Sequence, residues 1–144
     1  MFDGTADERL TSWAAHRREL EKTEEPYQYV WDFWKHAPYI PYNNKIDPFY
    51  QRGWPTPWEI IVDNKYDDFT KSLMIGWTLK LTERFKKSKI ELRTLVDKSK
   101  QSVYTIVVVE DKIALNYNDN GPILVLDIPD SFLVENIIEL KRPR

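Results

Sequence analysis

Apolar positions along the chain fall first at helical spacing and later at strand spacing, with a stretch of different character between them. Leu10, Trp13, Ala14, Arg17 and Leu20 share one face at intervals of three and four. Thr5, followed three residues later by Glu8, makes a capping box, and Asp7 favours the same helix N-terminus. A helix is therefore expected from about Ala6 to Lys22, its other face charged through Arg9, Arg18, Glu19 and Lys22. Thr56-Pro57-Trp58-Glu59 repeats the capping logic with a proline at the first helical position, so a short helix is expected over Pro57 to Val62. Phe69, Leu73, Gly76, Trp77, Lys80 and Leu81 trace the buried stripe of a longer helix from Tyr66 to Phe85.

The second half changes period. Ile90 to Val96 alternates at first as a half-buried strand does, and Val103 to Val109 is the continuous β-branched run of a central strand. Lys112 to Tyr117 reads as a hairpin partner across Glu110-Asp111, and Ile123 to Ile128 as a further strand. Phe132 to Leu140 reads as a short helix. The fold class expected is α+β: N-terminal helices and a Pro/Trp-rich segment, then a mostly antiparallel sheet of about four strands.

Between these halves, Glu25 to Trp58 holds six of the nine prolines and eleven of the twenty aromatic residues. Tyr27, Tyr29, Trp31, Phe33 and Trp34 suit either a short helix or a strand, and Pro38 and Pro41 stop whichever forms. So many large rings in a segment with little regular structure predict a wrap pinned to the surface by its side chains. The expected organisation is one domain over 1–144, with a helix in 1–24, the aromatic wrap in 25–58 and a helix-plus-sheet core in 59–140.

Composition narrows the chemistry. A net charge of −2 argues against a dedicated nucleic-acid binder. Zero cysteines removes disulfides, thiolate metal sites and cysteine nucleophiles, and suits a reducing compartment. The apolar run Ile106 to Val109 is far short of the roughly 20 residues of a membrane-spanning helix. The acidic N-terminus has no signal-peptide core, so secretion through a signal peptide is not expected. The glycines are isolated, so no phosphate-cradling loop is present, and His16 and His36 have no metal-site spacing.

What remains is a set of weaker features. Asp63, Asp67 and Asp68 lie between the two central helices, where they serve helix ends or offer oxygen ligands to a divalent cation. Arg84, Lys86, Lys87 and Lys89, with Lys98 and Lys100, form a solvated rim, or a phosphate-binding patch if two loops meet at one end of the sheet. Trp31, Trp34, Trp54 and Trp58 are core rings by default and interface anchors if exposed.

The order of Trp54-Pro55-Thr56-Pro57-Trp58-Glu59, then Asn64-Lys65-Tyr66-Asp67-Asp68-Phe69 opening a helix, then a strand hairpin and Leu126-Asp127, resembles the transglutaminase-like branch of the papain-like fold. The stretch covered is Trp54 to Asp130. The resemblance implies a Cys-His-Asp triad whose positions fall at Tyr66 or Asp67, near Tyr104, and at Asp127. Two of the three are chemically wrong, since thiol catalysis needs a thiolate and a nearby base. The Trp54 to Ile61 phrase and Trp77-Thr78-Leu79-Lys80-Leu81-Thr82-Glu83-Arg84-Phe85 also resemble proteins of large tailed bacteriophages, including those of cyanobacteria.

Together these readings lead to an expectation of a non-enzymatic phage structural or assembly protein, without cofactor, binding a virion or assembly partner through the tryptophans at 31, 34, 54 and 58. The rival expectation is a metal-dependent enzyme or ligand-binding protein using Asp63, Asp67, Asp68 and Asp127. A third is a nucleic-acid accessory factor using Lys86, Lys87, Lys89, Lys98 and Lys100.

Overall fold

The computed structural model describes residues 2–143. Four helices precede a five-stranded antiparallel sheet: α1 (Ala6–Leu20), α2 (Pro26–Trp34), α3 (Pro57–Asp63), α4 (Asp68–Lys80), β1 (Ile90–Asp97), β2 (Ser102–Val109), β3 (Ile113–Leu115), β4 (Ile123–Leu124) and β5 (Phe132–Glu139). The strand order is β4-β3-β2-β1-β5. Both expected capping boxes form, with the Glu8 and Glu59 backbone N–H groups each donating to the threonine hydroxyl three residues earlier at 3.2 Å.

Helix α4 is the centre of the molecule. Every residue from Phe69 to Lys80 except Lys71 is buried, because one face lies on β1 and β2 while α2 covers another. Trp13 of α1 fixes its helix against α4 by donating from Nε1 to the Thr78 hydroxyl at 3.0 Å. The ambiguous stretch after Glu25 is a helix, with Pro26 in its first turn. It buries Val30, Trp31 and Trp34 in the main core, where Trp34 meets Phe2, Phe33 and Tyr66 at centroid distances of 5.4–5.5 Å.

Two elements depart from the sequence expectation. Residues Phe132 to Glu139 form a strand, not a helix, pairing with β1 from Phe132↔Asp97 to Glu139↔Glu91. The apolar positions there fit either period, and the open edge of β1 decided between them. The fourth expected strand shrinks to Ile123–Leu124, after which Val125–Asp127 turns as a 3-10 helix. That turn folds Val125 and Ile128 over the far face of the sheet, against Leu95, Ile106, Val108 and Ala114.

Candidate functional site

The N-terminus of α4 is where the sequence placed its chemistry. Asp67 is the N-cap there: its Oδ1 accepts from the Thr70 N–H at 2.7 Å and from the Thr70 hydroxyl at 2.6 Å. Its Oδ2 accepts from the Asn43 N–H at 2.9 Å, so both oxygens are committed to the chain. The wrap lies directly across this terminus. Ile40 N–H donates to the Tyr66 carbonyl at 3.0 Å, and Tyr66 N–H donates to the Pro38 carbonyl at 3.2 Å.

Asp68, one residue on, faces the sheet. Its Oδ2 accepts from the Thr105 N–H at 2.7 Å and its Oδ1 from the Asn116 amide at 3.1 Å. The same amide lies 2.8 Å from the Ser72 hydroxyl, which donates to the Thr105 carbonyl at 2.7 Å. Burial pushes the Asp68 carboxyl above its usual range, opposed by the Thr105 and Asn116 hydrogen bonds. Burial also pulls Lys71 down, opposed by Asp119 and Asp68. The arrangement holds helix to sheet. It contains no activated nucleophile, because the Ser72 hydroxyl is given to a backbone carbonyl and no histidine is among its partners.

The positions assigned to the degenerate triad do not come together. Tyr66 is buried inward against Phe2 and Trp34, with its hydroxyl unpartnered among the described residues and its pKa raised by burial. Tyr104 pairs with Leu95 and packs its ring on Phe132 at 5.9 Å, so it faces the layer opposite α4. Strand alternation puts its neighbour Thr105 on the α4 side. Asp127 is exposed in the 3-10 turn. The polar residue that reaches α4 from the end of the hairpin is Asn116, which the sequence reading missed. Its signal was there: a polar residue closing the apolar β3, in Leu115-Asn116, two residues before Asn118-Asp119.

The acidic cluster is divided as well. Asp63 pairs with Lys45 at 2.9 Å, while Asp67 and Asp68 turn to the wrap and to the sheet. Among the described residues no three His, Cys, Asp or Glu side chains converge to hold a metal ion. The lysines separate too. Lys86, Lys87 and Lys89 precede β1 whereas Lys98 and Lys100 follow it, an eight-residue strand of roughly 26 Å. Lys86 and Lys89 pair with Glu83 and Asp111 at 3.1 and 2.8 Å.

A cleft of about 950 Å³ opens beside this region, between the wrap and α3, lined among others by Asn43, Lys45, Trp54, Trp58, Glu59 and Asp63. Glu59 and Asp63 share a helix face at a spacing of four. Trp54 is held in place by Nε1 donating to the Asp47 carbonyl at 2.7 Å and by edge contacts with Phe69 and Trp77 at 5.7 and 5.9 Å. Trp58 packs on Trp13 at 5.8 Å and remains 37% exposed.

This arrangement of helices and antiparallel sheet is a transglutaminase-like fold, as the Trp54–Asp130 resemblance implied. Among solved structures, the chain is similar to calcium-bound LapG of Legionella pneumophila, with a TM-score of 0.70 and 16% identity over 94% of this chain and 77% of that one. A second LapG structure gives 0.69 at 15% identity with the same coverage, and an EGTA-treated one gives 0.65 at 16% over 89% and 71%. No protein-family pattern and no curated protein sequence matches the chain.

These findings overturn the expectation of a non-enzymatic phage structural or assembly protein. The likeness is to LapG and is one of fold, and it supports neither a phage origin nor a virion or assembly role. Of the four tryptophans expected as interface anchors, Trp31 and Trp34 are buried in the core at 2% and 0% exposure, whereas Trp54 is half-buried and Trp58 exposed.

Proposed function

We propose that the chain is a ligand-binding protein built on a transglutaminase-like scaffold, with its ligand held in the cleft between the wrap and α3. The observation that carries this reading is the cleft itself: Trp54 and Trp58 supply apolar walls, and Glu59 and Asp63 supply acceptors on one helix face. Sites of this size with a few convergent polar groups are where small ligands are held. The ligand that fits is amphipathic, with an apolar body against the two indoles and a cationic head that displaces Lys45 from its 2.9 Å ion pair with Asp63, beside Glu59, whose Oε1 stays with the Thr56 N–H; an indole face adds attraction for a cation. Thiol chemistry has no atom to run on in this chain, which contains no cysteine.

LapG has been observed with calcium. The N-terminus of α4 in this chain does not fit such an ion, because Asp67 and Asp68 spend their oxygens on backbone and side-chain donors of the chain itself. Thermal unfolding is therefore expected to be the same in millimolar calcium and in EGTA.

The test is a thermal-shift titration with tyramine and with arginine amide. A ligand at about 100 times its Kd stabilises the folded state by about 2.7 kcal/mol. A rise in Tm that disappears in Trp58→Ala and in Asp63→Asn, with the ligand-free Tm of both variants within a few degrees of the parent, supports the cleft. No rise with either probe, or a rise that both variants keep, rejects it.

A further inference from the structure

The last strand leaves one side of its backbone open. β5 is the edge of the sheet, and it carries three exposed apolar side chains in eight residues: Leu133, Val134 and Ile137 at 46%, 49% and 49%. An edge without proline or lysine can template another strand, while the exposed Glu135 and Glu139 and a bulge restrict which strand it accepts. The hydrogen bonds flanking β5 establish which groups point outward. Leu140 N–H donates to the Ile90 carbonyl at 2.8 Å, and the Ser131 carbonyl accepts from Lys98 N–H at 3.3 Å, so residues 140 and 131 turn their backbone toward β1.

Between them the register shifts. Asn136 pairs with Thr94 and Val134 with Leu95, which leaves Glu135 as an extra residue in β5. Alternation from either end, interrupted by this bulge, turns the backbones of Phe132, Val134, Ile137 and Glu139 away from β1. In an unbroken strand, outward residues share one parity, and a self-pairing strand must place its two-fold axis on a residue. With one extra residue, an axis between Glu135 and Asn136 becomes available.

We propose that this edge is a self-association surface, in which β5 pairs antiparallel with β5 of a second copy about that axis. Val134 then stands opposite Ile137, and Leu133 opposite Ile138, in the middle of the joint. Phe132 stands opposite Glu139, and the strand ends bring exposed Asp130 toward exposed Lys141 of the second copy, twice by symmetry. Among the described residues Lys141 has a loose ion pair with Glu139 at 3.4 Å, and its side chain is exposed. The alternative axis on Ile137 sets Glu135 opposite Glu139 on both sides, a like-charge contact that disfavours it. Charge complementarity and the bulge thus select the same register, and they select a copy of this chain rather than a strand of arbitrary sequence.

The test is sedimentation equilibrium on the whole chain from about 1 μM to about 500 μM, the range over which a weak dimer assembles by mass action. The mass is expected to rise from 17.3 kDa toward twice that value. Ile137→Lys is expected to abolish the rise with an unchanged far-UV circular dichroism spectrum. Asp130→Lys and Lys141→Asp should each weaken the dimer about tenfold, and the double variant should restore it, since opposite cross-strand charges favour pairing and like charges oppose it. A monomer at every concentration overturns the proposal. A dimer that Ile137→Lys leaves intact overturns it as well, and so does failure of the double variant to restore association.

Discussion

Replacing Trp34 by alanine separates the core reading of the aromatic segment from the anchor reading. The ring is fully buried and meets Phe2, Phe33 and Tyr66 at 5.5, 5.4 and 5.4 Å. Burying roughly 200 Å² of indole at about 25 cal/mol per Å² amounts to about 5 kcal/mol, an upper figure because denatured chains are already partly collapsed. The indole Nε1 has no hydrogen-bond partner among the described residues, which offsets about 1 kcal/mol of that gain. The expected loss is therefore about 3–4 kcal/mol, a large part of the roughly 5–15 kcal/mol that holds a domain folded. Trp34→Phe keeps most ring contacts and removes the unpaired N–H, so its cost should be nearer 1 kcal/mol. Trp58→Ala, on a ring 37% exposed with one edge contact to Trp13, should cost under about 1.5 kcal/mol. Urea unfolding followed by far-UV circular dichroism measures all three without relying on the indoles as reporters. If Trp34→Ala lies within about 1 kcal/mol of the parent, the aromatic packing around α2 described above is wrong.

Two further perturbations probe buried polar groups. His16 is stacked on Tyr29 and Phe33 at 4.8 and 4.1 Å, and burial, with the charge of Arg17, pulls its pKa down to about 4. The folded state thus resists a proton that the unfolded chain takes near pH 6.5. Stability is full above that pH and falls by up to about 3 kcal/mol between pH 6.5 and 4, and a urea midpoint that stays flat across this window in the parent refutes the burial of this ring. Asp68→Ala strands the Thr105 N–H and one bond of the Asn116 amide, so it should cost about 2–4 kcal/mol. Asp68→Asn keeps an acceptor for Thr105 and should cost less. Because burial raises the folded pKa of Asp68, its stabilising contribution is present below the unfolded value and lost as pH rises through the folded one. The parent should therefore gain on Asp68→Asn as pH falls, and a constant gap between their urea midpoints would contradict the assigned burial.

Legibility followed the range of the forces involved. The caps of α1 and α3 were readable because Thr5 with Glu8 and Thr56 with Glu59 interact within one turn. The β2–β3 hairpin was readable because the β-branched run Val103–Val109 ends at the turn residues Glu110-Asp111. The candidate site was read only in part. The sequence drew attention to the start of α4, yet it took Asp127 where the chain brings Asn116, and Tyr104 where it brings Thr105. A one-residue offset in a strand reverses the face, and no local pattern records which face the helix will cover.

The sequence by itself determined the α+β class, the starts of α1 and α3, the absence of thiol chemistry and the density of rings between Glu25 and Trp58. Only the tertiary structure decided that Phe132–Glu139 is a strand, because a free edge of β1 competes with helix formation for the same backbone groups. It alone sent Trp31 and Trp34 inward while leaving Trp58 at a cleft, since burial depends on what packs against a ring and not on the ring. It alone divided Asp63, Asp67 and Asp68 among a lysine, a helix cap and the sheet. Three carboxylates within six residues repel one another, and each lowered its energy by turning to a different donor that only the folded chain supplies.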